Sequence, residues 1–373
     1  MSYSRILVLA AVSKCISTFG IVTPPSPHRW MLFVPIVVIN AYCYFSTFTD
    51  DTMRRNAVIE TLVASDFLVL TDVQREFRQV GQREPISKLG LWARLQWALR
   101  LLLSPRGVGW TYEPTSALPS RHNLPRRTFL RTQLILLVWA IIGNDLAYIL
   151  TSKDPGFAKH ARPFSEQPLV WRFWATAVFF FKIRKCTEVY YFFVAFVLVG
   201  VNMSEPSSWP EFFGSWSDAY TVRRWWGRVW HQSLRRMFAS HGKYLAHRVF
   251  GFRPGSPASS YTQLYVAFFL SGIIHVTSYD PRPIWYFMSQ AVTITFEEIV
   301  LTIAKKAGVK SSKGTRLLGY VWVYCNLVFT LGPLFDSMNA VGLGLGGYDG
   351  TILLGRYRDS EWMTGLLSHA TAN

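Results

Sequence analysis

His275 sits in the stretch YVAFFLSGIIHVTSY, where a titratable imidazole among apolar neighbours must be solvated by a cavity or a partner. An ionisable group so placed is a functional site by default, and the chemistry it offers is proton transfer. Ser271 and Gly272 precede it by four and three residues, so on a helix they share roughly its face. Small residues there let a ligand or another backbone come close. The plainer alternative is a histidine hydrogen-bonded between helices with no chemistry of its own.

A second constellation is RRWWGRVWHQSLRRMFASHGKYLAHR, residues 223–248, which mixes tryptophans, arginines and His231 in a stretch too charged to span a membrane. Read as a helix, it places Trp226, Trp230 and Leu234 on one face and Arg224, Arg228 and Arg235 largely off it, so an apolar wall and a phosphate-binding rim can coexist. An interfacial amphipathic helix on anionic lipid heads fits the same pattern. Further polar groups fall inside apolar stretches: Asn144 and Asp145, then Gln290, Glu297 and Glu298, then Asn326. Gln290 and Glu297 are two helical turns apart and share a face. Fixing helix packing by hydrogen bonds is the commoner use of each such group taken alone.

The elements that hold these residues are membrane helices. Of 373 residues, 50% are hydrophobic, 16% aromatic and only 16% charged, a balance unlike that of soluble domains. Windows 30–48, 130–150, 186–203, 261–279, 284–304 and 317–337 each supply about 20 mostly apolar residues, the length that crosses the hydrocarbon core. Residues 5–22, interrupted by Lys14 and followed by no convincing small-residue cleavage site, read as a retained anchor. Residues 57–71 carry Glu60 and Asp66, and 171–181 run into Lys182, Arg184 and Lys185, so each is a short span or an interfacial segment. The expectation is an all-α, polytopic membrane protein with about six to nine transmembrane helices. The proline-containing stretches 23–28, 114–125 and 254–257 read as loops within one domain covering 1–373.

Thirty-nine Lys and Arg against 22 Asp and Glu leave a net charge of +17. Three segments concentrate it: 74–131 has eleven basic residues against Glu76, Glu84 and Glu113, 221–253 has eight and no acid, and 305–316 has five and no acid. All three can face the cytoplasm, where short loops collect Lys and Arg. That grouping favours lipid heads and a phosphorylated co-substrate as partners and leaves no role for nucleic acid. Within the first segment, LGLWARLQWALRLLL (89–103) suits a helix lying in the interface. Cys15, Cys43, Cys186 and Cys325 form no C-x-x-C pair and read as packing residues, while His241, His247 and His369 show no metal-ligand spacing and read as surface groups.

Residues 223–278 resemble the wax synthase-like branch of the membrane-bound O-acyltransferases, which includes fungal acetyltransferases of terpenoid and meroterpenoid pathways. WWGRVWHQSLRR (225–236) is similar to that branch's aromatic-Trp-Gly-Arg-x-Trp-His-Gln element, FFLSGIIH (268–275) to its Ser-Gly-x-x-His helix, and SPRGVGW (104–110) to an upstream Arg-Gly-Ile/Val-Gly-Trp segment. The resemblance covers roughly residues 85–335, with Gln290 and Glu297 matching a weaker family feature. Trp225 stands where the branch commonly has Phe, which keeps the aromatic wall. The resemblance implies a helical bundle around a catalytic tunnel, with His275 and His231 as the catalytic pair.

Acetyl transfer to an alcohol requires a base for the hydroxyl proton, a polarised thioester carbonyl and a seat for the coenzyme A phosphates. On this reading His275 is the general base and His231 orients the acyl donor or stabilises the oxyanion, supported by Trp230 and Gln232, with Trp226, Ser271, Gln290 and Glu297 as further candidates for binding the substrates. Arg223, Arg224, Arg228, Arg235, Arg236 and Lys243 are the candidates for phosphate. Acetyl-CoA is the expected co-substrate, a hydrophobic alcohol from the bilayer the acceptor, and the endoplasmic reticulum the expected membrane; no metal or tightly bound cofactor is required. The rivals are a wax ester synthase or sterol acyltransferase, a proton-coupled transporter with His275 and Glu297 as its relay, and an interaction protein with vestigial motifs.

Overall fold

The computed structural model describes residues 3–46, 50–114, 124–158, 161–276 and 279–341; these form helices, turns and one isolated bridge between Gln79 and Trp110, with no strand among them. In chain order the helices are α1 (Tyr3–Val22), α2 (Phe33–Phe45), α3 (Asp51–Ser65), α4 (Val73–Glu76), α5 (Leu91–Leu102), α6 (Arg126–Ser152), α7 (Leu169–Gly200), α8 (Val222–Arg224), α9 (Arg235–Tyr244), α10 (Pro257–Ile274), α11 (Arg282–Lys306), α12 (Lys313–Thr330) and α13 (Gly332–Ala340). Proline marks several starts: α6 follows Pro125, α7 follows Pro168, and α10 opens with Pro257 after Ser256, whose hydroxyl accepts the Ser259 amide. A fixed φ and a missing N–H suit the first helical turn, where amides have no partner within the helix. Helices α1, α6 and α11 are long and apolar enough to cross a membrane, and the pair α12 and α13, bent by 45°, makes a fourth if it is one span. Pro333 at the start of α13 accounts for that bend, which replaces the single straight span expected over 317–337.

The chain divides into two compact units. The first, Met1–Leu118 with Phe213–Leu317, packs α1, α2 and α3 together and sets α9, α10 and α11 side by side. Its polar interruptions are paired: Lys14 donates to Glu60 at 2.7 Å and Ser17 at 2.9 Å, so the two charges that blur α1 and α3 as sequence patterns satisfy each other. Cys43 is buried beside Ile6 and Ala57 as a packing residue, whereas Cys15 is exposed, a correction to the uniform packing role expected.

The second unit, Pro119–Phe212 with Leu318–Asn373, is built on α6 lying along α7. Segments 171–181 and 186–203, expected as separate elements, are one helix of 32 residues. The cations between them do not break it because Glu188, one turn on, accepts from Arg184 and from Lys185, each at 2.7 Å. Phe179 and Phe180 are buried rather than lipid-facing, with Phe179 near Phe335 in an aromatic cluster that also holds Phe157, Phe164 and Trp171. Cys186 is exposed.

Candidate active site

The two candidate histidines belong to the first unit, and each is placed by backbone geometry. His275 is the first residue beyond α10 rather than one buried in mid-helix. Its Nδ1 lies 2.7 Å from the Ser271 carbonyl oxygen. A carbonyl only accepts, so Nδ1 carries the proton and the lone pair of the neutral ring is on Nε2. Ser271 therefore acts on His275 through its backbone. The Phe287 ring of α11 lies 4.6 Å from the imidazole, and Gly272 brings the two helices together: a Cβ there would stand 2.7 Å from Ile284 Cα.

The segment carrying His231 is not the continuous helix its periodicity predicts. One turn of α8 passes into a π-helical turn over Trp225–Val229, and Trp230 is already extended, so Trp226, Trp230 and Leu234 share no helical face. Local competition for carbonyls ends the helix. The Gln232 amide donates to the Trp226 carbonyl at 2.9 Å and the Trp230 carbonyl at 2.6 Å, Arg235 donates to the Gly227 carbonyl at 3.1 Å, and the Gly214 amide takes the Val229 carbonyl at 2.9 Å. Arg235 also donates to Gln232 Oε1 at 2.9 Å, which locks the turn. Gly214 is required by close approach, since a Cβ there would lie 2.1 Å from the Arg228 carbonyl oxygen.

Gln290 and Glu297 hold this segment to α11. Gln290, fully buried, accepts the Trp226 indole N–H at 3.2 Å. Glu297, 5% exposed, accepts the amides of Val222 at 2.7 Å and Arg223 at 3.2 Å, the unsatisfied donors at the start of α8. Trp226 in turn packs edge-on to Phe268 and Tyr286 and lies near Phe287. His231 packs near Trp230 and Phe213.

Arg106 is a further candidate, within the SPRGVGW segment but not singled out in the sequence analysis. It is buried, and its guanidinium acts on His231. Gly107 and Gly109, both at positive φ, fold the SPRGVGW segment so that Val80 and Thr111 join it to residues 78–80. The glycine spacing was the available signal. Desolvation and the Arg106 charge push the His231 imidazole down to about 4, so the ring is neutral at physiological pH. The unfolded chain binds that proton near the ordinary value of 6.5 and the native chain only near 4, so stability falls as pH drops between those values. The thermal midpoint of the native chain should therefore fall more from pH 7.5 to pH 4.5 than that of His231→Asn; parallel losses would remove His231 as the cause.

The six phosphate candidates do not stand alike. Arg236 is committed to buried Asp66, donating at 3.1 Å, and lies over the adjoining rings of Phe77 and Tyr112. Arg223 pairs with Glu298 at 2.6 Å, Arg224 with Asp218 at 2.5 Å, and Arg235 is spent on the turn. Arg228 is half-exposed, 4.0 Å from Asp218, and Lys243 is exposed without an ion pair among the described residues. Removing Arg236 would strand the Asp66 carboxylate. Arg236→Ala should cost about 3 kcal/mol, read as a lowered thermal midpoint that Asp66→Asn with Arg236→Met largely restores. His241 and His247 are half-buried rather than surface groups, hydrogen-bonded to Ser65 and Ser259. His369 lies outside the described residues.

Two imidazoles carried by the same unit, one with a fixed tautomer and one held neutral, together with helices long and apolar enough to cross a membrane, offer the parts of a group-transfer site. The model of the membrane bound O-acyl transferase family matches residues 209–296, the stretch that carries both histidines. Acetyltransferase ple2 of Rhodocybe pseudopiperita is 35% identical over 355 residues, 91% of this chain and 92% of its own length. Acetyltransferase eriL of Hericium erinaceus is 32% identical over 350 residues, 89% and 90% of the two chains, and the O-Mevalon transferase yanI of Aspergillus niger is 25% identical over 80% and 78%. The chain belongs to the membrane bound O-acyl transferase family and is an integral membrane acyltransferase.

Proposed function

We propose that the protein is an O-acetyltransferase that moves the acetyl group of acetyl-CoA to a hydroxyl of a hydrophobic secondary metabolite, a terpenoid or meroterpenoid, in the endoplasmic reticulum membrane. The observation that carries the mechanism is the 2.7 Å contact between His275 Nδ1 and the Ser271 carbonyl, which leaves Nε2 as the basic atom. Nε2 takes the hydroxyl proton as the oxygen attacks the thioester carbon. The carbon–sulfur bond then breaks, and the imidazolium returns the proton to the coenzyme A sulfur. His231, neutral and therefore able to donate from one nitrogen, orients the carbonyl. Arg228 and Lys243 retain the most open positive charge for the coenzyme phosphates. The whole chain, 1–373, acts as one catalytic domain with six to nine spans around a tunnel, on about 20 residues per span.

The choice of acetyl rests on the names of the relatives ple2 and eriL. The relative named O-Mevalon transferase keeps a larger acyl group in view, as in a wax ester or sterol acyltransferase. The test is transfer of label from acetyl-CoA and from palmitoyl-CoA to hydroxylated terpenoids, sterols and fatty alcohols, in membranes with and without the native chain. Acetylated terpenoid formed only with the chain is the expected result. Preference for palmitoyl-CoA, or for sterol or fatty alcohol, would overturn it in favour of the alternative.

A further inference from the structure

Tyr286 is 1% exposed, and among the described residues its hydroxyl has no hydrogen-bond partner. A phenol O–H buried without an acceptor has lost its water partners with nothing in return. Phenylalanine would fill the same space without that cost. The ring sits on α11 between the two halves of the candidate site: 6.3 Å from Trp226, in the segment that carries His231, and 5.0 Å from Phe287, which packs on His275. Gln290, one turn further along α11, has its own oxygen occupied by the Trp226 indole. It does not serve the hydroxyl.

We propose that the Tyr286 hydroxyl is a substrate-binding donor, hydrogen-bonded to the acyl carbonyl oxygen of the bound thioester and strengthening that bond as the oxygen becomes an oxyanion. This rests on the acyl-transfer reading of the same site. As the acceptor oxygen bonds to the carbonyl carbon, the carbonyl electron pair moves onto its oxygen, where the Tyr286 O–H meets it. The pair returns when the carbon–sulfur bond breaks, and Tyr286 keeps its proton throughout. A fixed donor at developing charge acts most strongly in a site closed to water.

Tyr286→Phe separates this role from a structural one, because the fold loses no protein hydrogen bond with the hydroxyl. The expected result in membranes carrying the full chain is a kcat lowered about 100-fold, a KM for acyl-CoA within about twofold of native, and a thermal midpoint at or above that of the native chain. An unchanged kcat, or a fall in kcat matched by a fall in midpoint, would overturn the proposal while native turnover upheld the acyl-transfer reading. A binding measurement needs no acceptor. The ketone analogue of acetyl-CoA, with CH2 between sulfur and carbonyl, should lose about fivefold in affinity on Tyr286→Phe while coenzyme A without the acyl group loses none. Equal losses would overturn the role of Tyr286. A native chain that binds neither would overturn the acyl-transfer reading along with it.

Discussion

His275→Ala should lower kcat about 10³-fold, within the range by which a positioned general base accelerates proton transfer. KM for the acyl donor should change little, because the imidazole is assigned to the proton of the acceptor and not to the coenzyme. The fold should survive. Among the described residues the side chain's hydrogen bond is to the Ser271 carbonyl, so the thermal midpoint should move by no more than about 2 °C. His275→Gln is the sharper variant, since its amide can still donate to that carbonyl but offers no base. Both variants should be equally inactive in the labelled-acetyl assay. Substantial turnover by His275→Gln would reduce His275 to a residue that merely ties off the end of α10, and would return the site to the packing alternative.

Sequence spacing carried some of this site and missed the rest for physical reasons. Gln290 and Glu297, seven residues apart, were expected on one helix face, and both do contact one segment, the Trp226 indole and the Val222 amide. That rule is local to a regular helix. Periodicity failed at Trp230 because the turn there is set by carbonyls claimed by donors on Gln232, Arg235 and Gly214, and Gly214 is fifteen residues upstream of the Val229 it bonds. It failed again at 182–185, where a run of cations looked like an ending, although Glu188 supplies a partner for Arg184 and Lys185. Arg106 could not be weighed as a site residue from its neighbours alone, since what brings it to His231 is the positive φ of two glycines. Tyr286 had no pattern to betray it. In an apolar run an aromatic reads as packing, and only the missing partner of its hydroxyl distinguishes it.

Gly272→Ala should lower kcat about 100-fold and cost about 1–3 kcal/mol of stability, although the added methyl group is small. The reason is what the methyl would meet. Its nearest neighbour is the Cα of Ile284 at 2.7 Å, a backbone atom that cannot rotate away, so α10 and α11 must separate. The displacement is delivered to the chemistry almost undamped: three residues beyond Gly272 is His275, and three beyond Ile284 is Phe287, whose ring packs against it at a tilt of 39°. Misplacing a catalytic group by about 1 Å costs about 100-fold in rate, whereas the stability term alone would lower the amount of folded enzyme and leave the turnover of each folded molecule intact. Normalising activity to folded protein divides the two effects. Gly314→Ala is the control, since its Cβ would meet nothing nearer than Ser312 Oγ at 3.8 Å, and it should leave both quantities unchanged. If Gly272→Ala kept the native kcat per folded molecule, the position of His275 would not depend on the contact between α10 and α11, and the imidazole would have to be held by the Ser271 carbonyl alone.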